Sequence, residues 1–387
     1  MLRVVHCITD EKFIRSIYQT FEYLQDRCNS RYVHITENVK KQCRYLGDYE
    51  KVEFCNISQF QTELASGCCD VVVLHNLQSV PLDFISQIPK DIKLVWFAWG
   101  FDIYGCMGSK PLVPIPNLIQ PETKRLLWSS LDKQLKEKAK VLYKVTRNKE
   151  LKKAVARVDY FSGIIPEEYD MMRSVPFFHA KQVDFRYSSP LANISLSMLD
   201  DEKPVGGMDI MIGNSGDITN NHADIFKKLK KIELGERRIY VPLSYGEDKK
   251  YMSKIKSIGN DLWGDRFVAL DDYVPYDEYR RIIGSCGFRI FGHERQQALG
   301  NIIMAFRDGC KVFLSDGSVL YRHFVNMGVK VFTIQNDINP DCLSDLLNDK
   351  ETYENRKKTI EYSQTSAQKE RLYKLIDYLT KEVENAK

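Results

Sequence analysis

The sequence predicts an α/β protein made of two doubly wound domains in tandem, and three observations lead to this prediction. The chain has 387 residues, more than the roughly 100 to 200 residues that one domain usually contains. Short apolar or β-branched runs alternate with longer amphipathic stretches, which is typical of strand–helix–strand units around parallel sheets. Residues 186–206 lose this periodicity and gain turn-forming residues, so we expect the linker between the domains there.

The composition is that of a soluble globular protein. Hydrophobic residues make up 43% of the chain and charged residues 28%, which argues against disordered and fibrous classes. No apolar run approaches the roughly 20 residues of a transmembrane helix, and residues 1–10 are typical of a buried strand rather than a signal peptide. We therefore expect a cytoplasmic protein. The ten cysteines lack the C-x-x-C pairs of metal and redox sites, so we expect reduced thiols and no metal.

The first domain is expected to cover residues 1–185. Its strands are predicted where apolar or β-branched runs occur, at 2–8, 32–35, 52–54, 71–74, 94–98 and 160–164. The first amphipathic stretch predicts a helix over 12–28. Pro166 begins another helix, because an N–H in the first helical turn has no helical acceptor and its loss is harmless.

The second domain is expected to cover residues 207–366, followed by a C-terminal helix in 367–387. Its strands are predicted at 208–212, 239–242, 267–270, 288–291, 311–314 and 329–332. Rossmann-like sheets of this kind bind ligands beyond the carboxyl ends of their strands. We therefore expect the two domains to face a cleft, with the chemistry at the strand ends.

Residues 124–157, the basic segment, hold twelve Lys or Arg and three acidic residues, so the segment carries +9 and the rest of the chain −5. Apolar residues recur on one helical face. These residues are Leu127, Trp128, Leu131, Leu135, Leu142 and Val145, and lysines 133, 136, 140 and 144 lie on the other faces. Such a helix can bind an anionic membrane surface; a solvated helix packed on its own domain is an equal alternative. Nucleic acid is not expected as a partner, because aromatic residues are not interleaved with the cations.

The strongest local pattern is a glycine-bearing turn at residues 213–216, Gly-Asn-Ser-Gly, between a predicted strand and a predicted helix. Backbone N–H groups in such a turn and at the helix start can bind phosphate oxygens. Asp217 and His222 follow in the same stretch. The pattern is neither G-x-G-x-x-G nor a P-loop, which disfavours nicotinamide and kinase-type sites. An ordinary turn with Asp217 or Asn220 capping the helix is the alternative.

A second polar turn, residues 293–297, follows the predicted strand 288–291. Glu294 is a plausible sugar-hydroxyl ligand or base, Arg295 can neutralise a diphosphate, and Gln296 or Gln297 can bind a sugar hydroxyl or a base edge. Gly300, followed by Asn301, lets the next helix approach a ligand closely. A surface turn without function is the alternative.

Two further strand ends carry candidate residues. After the strand 94–98, Asp102 can accept a proton from an attacking hydroxyl, and Trp99, Gly100 and Tyr104 lie beside it in sequence. The alternative is that Asp102 caps a turn and Tyr104 packs in the core. After the strand 239–242, Ser244 and Tyr245 are available to a phosphate or a base.

Together these motifs resemble the bacterial TDP-N-acetylfucosamine:lipid II N-acetylfucosaminyltransferase family, glycosyltransferase family 56. The resemblance covers about residues 96–335 and rests on Trp96 with Gly-x-Asp-x-Tyr, Ile-Gly-Asn-Ser-Gly-Asp with Asn221-His222, Val-Pro-Leu-Ser-Tyr-Gly, and Arg295-Gln296-Gln297 with Gly300. It implies a GT-B fold, a nucleotide-sugar donor on the second domain, and a lipid-diphosphate-linked saccharide acceptor at the cytoplasmic face of the inner membrane. It also implies catalysis without a metal or another cofactor. The E-x7-E pattern of many GT-B enzymes is absent, because residue 302 is Ile.

We therefore predict a peripheral membrane glycosyltransferase of bacterial surface polysaccharide synthesis. It would move a sugar, a 4-acetamido-4,6-dideoxyhexose or another hexose, from a TDP- or UDP-sugar to an undecaprenyl-diphosphate-linked saccharide. The catalytic candidates are Asp102, Glu294 and Arg295, the acceptor candidates are Trp99, Gly100 and Tyr104, and the donor candidates are Gly213, Asn214, Ser215, Gly216, Asp217, His222, Ser244, Tyr245, Gln296, Gln297, Gly300 and Asn301. A nucleotide-sugar 2-epimerase and a non-catalytic nucleotide-sugar-binding scaffold are the alternatives.

Overall fold

The computed structural model describes residues 1–9, 14–37, 51–105, 112–113, 115, 117–127, 149–187, 195–201, 203–244, 246, 248–272 and 274–386. Its strands are β1 (Leu2–Cys7), β2 (Cys28–Ile35), β3 (Val52–Cys55), β4 (Val71–Leu74), β5 (Lys93–Phe97), β6 (Tyr160–Ser162), β7 (Lys181–Gln182), β8 (Ile210–Ile212), β9 (Ile239–Pro242), β10 (Phe267–Leu270), β11 (Phe288–Phe291), β12 (Lys311–Leu314) and β13 (Phe332–Thr333). Its helices are α1 (Ile14–Glu22), α2 (Ile57–Ala65), α3 (Leu82–Ile85), α4 (Gly100–Tyr104), α5 (Pro121–Leu127), α6 (Lys149–Arg157), α7 (Glu167–Met172), α8 (Met198–Asp201), α9 (His222–Leu229), α10 (Lys249–Trp263), α11 (Tyr276–Ser285), α12 (Leu299–Arg307), α13 (Val319–Asn326), α14 (Ile334–Asp337), α15 (Pro340–Ser344), α16 (Asp349–Ser363) and α17 (Thr365–Glu384).

These elements form two compact units. Within the described residues, the first unit comes from Met1–Pro114, Val141–Asn193 and Ser363–Lys387, and the second from Ile115–Lys140 and Ile194–Tyr362. Each unit is an α/β domain around its own parallel sheet.

The first unit contains a seven-stranded sheet in the order β3-β2-β1-β4-β5-β6-β7, and every pairing in it is parallel. The central strands β1 and β4 are almost wholly buried, as expected for parallel strands covered on both faces. The final helix α17 also belongs to this unit. Its apolar face, including Leu372, Leu375 and Leu379, packs into the same core as Phe21 of α1.

The second unit contains a six-stranded parallel sheet in the order β10-β9-β8-β11-β12-β13. Its strand order reverses between β8 and β11, which pair with Ile210 opposite Phe288 and Ile212 opposite Ile290. The turns that follow β8 and β11 therefore leave the same edge of the sheet side by side. This switch point is where doubly wound sheets bind ligands.

The segment around α5 is part of the second unit, although the sequence analysis assigned it to the first domain. Both carboxylate oxygens of Asp224 accept N–H groups at the start of α5, from Glu122 (2.8 Å) and Thr123 (2.9 Å). Lys254 donates to the carbonyl of Leu126 at its other end (2.6 Å). These caps satisfy backbone groups that a short helix leaves without partners.

The basic segment is described only at its ends, in α5 and α6. In α6, Leu151, Ala154 and Val155 are buried. Arg157 donates to three backbone carbonyls, of Ile88, Pro89 and Ile92. Residues 128–148, with Trp128 and lysines 133, 136, 140 and 144, lie outside the described residues. Among the helices of the described part, none combines the length and hydropathy needed to cross a bilayer.

Candidate functional site

The turn after β8 depends on glycine at position 213. Gly213 has φ +73°, a left-handed conformation that residues with a Cβ adopt only at a cost. Its N–H donates to Ile290 of β11 (2.8 Å), and an added Cβ would lie 2.7 Å from Asn220 Oδ1. The left-handed backbone and the close packing both require glycine at this bend, which lies at the carboxyl edge of the sheet.

Asn220 holds this turn together from its buried side. Its Nδ2 donates to the carbonyls of Ser215 (3.0 Å) and Asp217 (3.1 Å), and its Oδ1 accepts the N–H of Asn214 (3.1 Å). Asp217 accepts the N–H of Thr219 (2.8 Å) and caps a short 3₁₀ turn, Ile218–Asn220. The capping role that the sequence allowed for Asp217 is therefore present.

The N–H groups of Ser215 and Gly216 remain uncommitted in this arrangement, because neither donates to another described residue. Both residues are buried. Helix α9 begins directly after this region at His222, and the residue before it, Asn221, has φ +52° and makes no side-chain cap on the helix. Uncommitted N–H groups in a bend before a helix start form the kind of cradle that binds phosphate oxygens.

His293 connects the turn after β11 to the turn after β8. Its Nε2 lies 2.8 Å from Asn220 Oδ1 and 3.1 Å from Asn214 Oδ1. Since both oxygens accept, Nε2 carries the ring proton. Nδ1 is buried and has no partner among the described residues. Burial, followed by the charge of Arg295, holds the pKa of His293 well below its usual value, so the ring is neutral.

Gln297 makes the second connection between these turns. Its Nε2 donates to Asn214 Oδ1 (3.3 Å), and its Oε1 accepts from Thr219 Oγ1 (2.6 Å). The predicted donor residues Asn214 and Gln297 are therefore in contact. His293 lies in the predicted polar turn 293–297, but no local signal in the sequence assigned it a role of its own.

His222 lies under the Gly213 turn. It is fully buried, its Nδ1 lies 3.0 Å from Tyr251 Oη, and its Nε2 has no partner among the described residues. Burial lowers the pKa of His222 to about 3. A Cβ at Gly213 would come within 2.8 Å of Nε2. This histidine is therefore neutral, and its ring packs against the backbone of the Gly213 turn on the buried side.

Arg295 and Gln296 occupy the middle of the second polar turn. Arg295 Nη1 donates to Gln296 O (3.4 Å), whereas its Nε is buried without a partner among the described residues. Gln296 is buried. The turn ends at Ala298, which has φ +59° and makes no side-chain cap on α12. A non-glycine residue in this region is strained, and the start of α12 keeps its N–H groups available. Gly300 has open space around it, and Asn301 is exposed.

Glu294 lies in a buried polar cluster with Ser315 and Gln120. Its Oε1 accepts from Ser315 Oγ (2.5 Å) and from Gln120 Nε2. Glu294 is 6% exposed, and this burial raises its pKa. Ser315 begins the Ser-Asp-Gly-Ser turn after β12, which the sequence analysis did not single out. A polar, glycine-bearing stretch directly after a buried strand was the signal for it.

The turn after β9 meets the turn after β8 through two glycines. A Cβ on Gly246 would lie 2.7 Å from the carbonyl carbon of Gly216, so these backbones are in direct contact and leave no room for a side chain. Ser244 is exposed beside them. Tyr245 lies outside the described residues. The predicted donor turns after β8, β9 and β11 thus converge at one edge of the second sheet.

In the first unit, Asp102 is a buried acceptor at the start of α4. It is 4% exposed. Its Oδ1 accepts the N–H of Leu77 (3.2 Å), and its Oδ2 accepts the N–H of Trp99 (3.1 Å) and Nε1–H of Trp96 (3.3 Å). The carboxylate therefore caps the helix and joins two neighbouring strand ends.

The three acceptor candidates have different surroundings. Gly100 is buried within α4, and the hydroxyl of Tyr104 is buried and donates to Glu168 (2.7 Å). Burial raises the pKa of Glu168 to about 7. Trp99 is half-buried and stacks on Tyr187, with ring centroids 4.8 Å apart. Of the three, Trp99 has an accessible aromatic surface.

A histidine pair lies behind this aromatic surface. Tyr187 Oη is 2.8 Å from His75 Nδ1, and His75 Nε2 is 3.0 Å from His6 Nδ1. Both histidines are buried, and burial lowers the pKa of His6 to about 3 and that of His75 well below its usual value. This chain of contacts cannot be recognised from local sequence, because His6, His75 and Tyr187 are far apart along the chain.

No group of three or more His, Cys, Asp or Glu residues within the described ranges is placed to hold a metal ion. The eight cysteines described are free thiols, and six of them are buried.

Comparison with known proteins identifies the family of this chain. A family model for 4-alpha-L-fucosyltransferase, glycosyl transferase group 56, matches residues 174–369, which is half of the chain. The match includes the turns after β8, β9, β11 and β12.

Solved glycosyltransferase structures resemble the chain over nearly its whole length. Sucrose-phosphate synthase from Thermosynechococcus elongatus is 12% identical with a TM-score of 0.60, covering 98% of this chain and 99% of that one. HepE from Anabaena, in complex with UDP and glucose, is 8% identical with a TM-score of 0.55, covering 98% and 100%. A trehalose-6-phosphate structure from E. coli bound with UDP-2-fluoro glucose is 10% identical with a TM-score of 0.56, covering 97% and 98%. At these identities the likeness shows the fold, which is GT-B as predicted.

Proposed function

This chain belongs to the glycosyl transferase group 56 family, and we propose that it transfers a sugar from a UDP- or TDP-sugar to an undecaprenyl-diphosphate-linked saccharide. The protein is a glycosyltransferase of GT-B fold; the donor, the acceptor and the residue roles are our proposal. The observation that carries it is the convergence of the turns after β8 and β11, joined by His293 and Gln297, beside two uncommitted N–H groups and Arg295.

We assign the donor diphosphate to the N–H groups of Ser215 and Gly216 and to the guanidinium of Arg295. Uncommitted amides and a guanidinium are strong donors to phosphate oxygens. The side chains around these donors are already hydrogen-bonded to one another. The donors are therefore held in place and need no rearrangement as charge develops on the departing diphosphate. Related structures from Anabaena and E. coli contain UDP or a UDP-sugar, which supports a nucleotide-sugar donor here.

We assign the nucleoside and the sugar to the side chains around this diphosphate site. Ser244 and Gln296 are proposed to contact the nucleoside or sugar, while Gln297 and Asn214 support the turn. Glu294 is proposed to bind a hydroxyl of the donor sugar rather than to act on the acceptor, because its carboxylate is buried in the second unit with Ser315.

In the first unit, we propose an orienting role for Asp102. Three donors hold its carboxylate at the start of α4, so it fixes the backbone of Trp99 instead of presenting a basic oxygen. Trp99 then offers its ring face to an acceptor sugar. Aromatic faces bury apolar sugar surface while leaving the hydroxyls free to hydrogen-bond.

We propose that the enzyme works at the cytoplasmic face of the inner membrane, in surface polysaccharide synthesis. The basic segment supports this proposal, because it carries +9 and each cation near an anionic membrane adds about 1 kcal/mol of attraction. Replacing lysines 133, 136, 140 and 144 with Gln is expected to reduce co-sedimentation with phosphatidylglycerol vesicles. Unchanged sedimentation would remove the membrane part of the proposal.

The test of the reaction combines binding with product analysis. A panel of UDP- and TDP-hexoses is screened for an increase in melting temperature, since a ligand that binds only the folded state stabilises it. The best donor is then incubated with and without polyprenyl-diphosphate-linked saccharide. Transfer predicts that free nucleotide appears only with the acceptor. An epimerised nucleotide sugar formed without acceptor would instead establish the epimerase, and tight binding without turnover would establish the scaffold.

A further inference from the structure

Gln120 is held against the donor turns of the second unit by its backbone. Its N–H donates to Asn221 Oδ1 (2.8 Å). Asn221 Nδ2 donates back to the carbonyl of Leu118 (3.3 Å) and to that of Gly292 (2.8 Å). One asparagine therefore ties the stretch before α5 to the turn after β11, and it follows directly on Asn220, which organises the turn after β8.

Helix α5 fixes Gln120 from the other side. Asp224 caps the start of α5, and Lys254 caps its end. Thr123 is fully buried, and Leu126 and Leu127 pack against the core of the second unit. The main chain on both sides of Gln120 is thus anchored to one unit, so the position of its side chain is well defined.

The side chain of Gln120 completes the surroundings of Glu294. Gln120 Nε2 and Ser315 Oγ both donate to Glu294 Oε1, and Ser315 in turn accepts from Gln335 Nε2 (3.0 Å). The other oxygen, Oε2, has no hydrogen-bond partner among the described residues. It faces Gly317, where an added Cβ would lie 2.8 Å from it.

We propose that Gln120 is a positioning residue for donor-sugar recognition, holding Glu294 so that Oε2 projects over Gly317 toward the sugar. This inference rests on the proposed function, because it requires a nucleotide sugar at the donor turns. An ionised carboxylate only accepts hydrogen bonds. The sugar it selects therefore presents a donor on the face that meets Oε2, either a hydroxyl or the N–H of an acylamino group.

The inference separates recognition of the sugar from recognition of the nucleotide. Gln120 acts through Glu294, which contacts the sugar, whereas the diphosphate is assigned to Ser215, Gly216 and Arg295. Removing the amide of Gln120 should therefore weaken the sugar-dependent part of the affinity and leave the nucleotide part unchanged.

The test compares wild type with Gln120→Leu and with Arg125→Ala. Arg125 lies on α5, is 73% exposed and pairs with Glu122, so its loss is the matched control for a change in the same segment. Isothermal titration uses UDP, TDP and the panel of UDP- and TDP-hexoses. We expect Gln120→Leu to lower the affinity for the best nucleotide sugar by about tenfold or more, the loss typical for a hydrogen bond to a charged group. Its affinity for the free nucleotide should fall by less than about twofold. Arg125→Ala should change neither.

Gln120→Glu gives a readout that a purely structural role would not produce. It sets a second carboxylate against Glu294, and two adjacent carboxylates bind one proton between them. We expect its affinity for the nucleotide sugar to be lost at a pH of about 8 and to recover as the pH falls to about 5.5, while its affinity for free nucleotide stays flat. Thermal unfolding of each variant over the same pH range shows whether folding follows the same profile.

The outcomes distinguish this inference from the proposed function. If wild type binds neither free nucleotides nor nucleotide sugars, the proposed function fails. If wild type prefers a nucleotide sugar to its nucleotide and Gln120→Leu keeps the same preference, the function stands and the role of Gln120 is overturned. The role of Gln120 is also overturned if wild type binds a nucleotide and all of its nucleotide sugars with equal affinity. It is likewise overturned if the affinity of Gln120→Glu for the nucleotide sugar does not depend on pH.

Discussion

The polar strand ends of the two units have similar residue types and opposite hydrogen-bonding states. In the first unit, the carboxylates of Asp102 and Glu168 each accept at least three hydrogen bonds from their own unit. In the second unit, the side chains after β8 and β11 bind each other and leave the amides of Ser215 and Gly216 and the Nε of Arg295 without protein partners among the described residues. Residue type at a strand end therefore does not distinguish the two units, whereas the groups left without partners do.

The difference follows from what each network stabilises. A carboxylate that accepts backbone N–H groups fixes the chain and has little capacity left for a ligand. Amide and imidazole side chains can hydrogen-bond to one another on one side of a turn and leave backbone N–H donors available on the other side. We expect variants of the first kind to act mainly on stability and variants of the second kind mainly on binding and turnover.

Gly213→Ala should have the largest effect on the second unit. It forces alanine into φ +73° and places a Cβ 2.7 Å from Asn220 Oδ1, which together should cost about 2–5 kcal/mol of unfolding free energy and remove donor binding. Two matched variants separate the causes in chemical denaturation. Gly235→Ala has positive φ with open space, and Gly206→Ala has open space without positive φ. A Gly213→Ala protein as stable as Gly206→Ala would show that the turn is not constrained as described.

Arg295→Ala should abolish transfer while the fold remains. Removing one donor to developing charge typically lowers turnover by about 100- to 1,000-fold, and Arg295 makes one weak contact to its own turn, so the melting temperature should change little. Steady-state kinetics and thermal unfolding are measured together. Arg125→Ala serves as an exposed arginine control, and unaltered turnover in Arg295→Ala would refute the assigned role.

Asp102→Asn sharpens the comparison, because it separates capping from proton transfer. The new amide meets N–H groups where the carboxylate accepted them, so we expect a loss of about 1–3 kcal/mol in unfolding free energy and a partial loss of turnover. Denaturation and the pH profile of turnover are both recorded. Full stability together with abolished turnover would instead identify Asp102 as the base.

Acid should destabilise both units through their buried histidines. Each unit has two buried histidines whose pKa is lowered by burial. The pKa falls to about 3 for His6 and His222 and lies well below the usual value for His75 and His293. Below a pH of about 6.5 the unfolded chain binds protons that these buried rings do not, so each histidine removes about 1.4 kcal/mol of stability per unit of falling pH. In the first unit Glu168, whose pKa is raised to about 7, opposes one histidine over the same range. Denaturation from pH 7 down to about 5 measures the slope. His75→Gln and His222→Gln should each make it shallower, and a slope that neither variant changes would contradict the neutral state of these rings.

The sequence was sufficient for features set by local pattern. The continuous apolar runs 71–74 and 94–98 predicted buried parallel strands, and the Gly-Asn-Ser-Gly turn lies at a strand end as expected. Contacts between distant segments could not be predicted. The predicted helix 12–28 extended beyond α1, which ends at Glu22, and into β2, where Cys28 pairs with Leu2.

The candidate site shows the same limit. Polar residues after a strand were recognisable, but whether they are satisfied depends on donors brought by folding. Asp102 receives the N–H of Leu77, and Glu294 receives Gln120 from a segment 174 positions away. Local residue spacing does not reveal these distant partners. The sequence alone could therefore not distinguish a carboxylate that caps a helix from one that binds a ligand.

The position of α17 has a consequence for biosynthesis. The core around β1 is completed by Leu372, Leu375, Ile376 and Leu379, which are translated after both segments of the second unit. While the chain is being made, the nascent first sheet keeps an apolar face uncovered, whereas all segments of the second unit have already been translated by residue 362. The first unit can therefore complete its core only after the whole of the second unit has been translated.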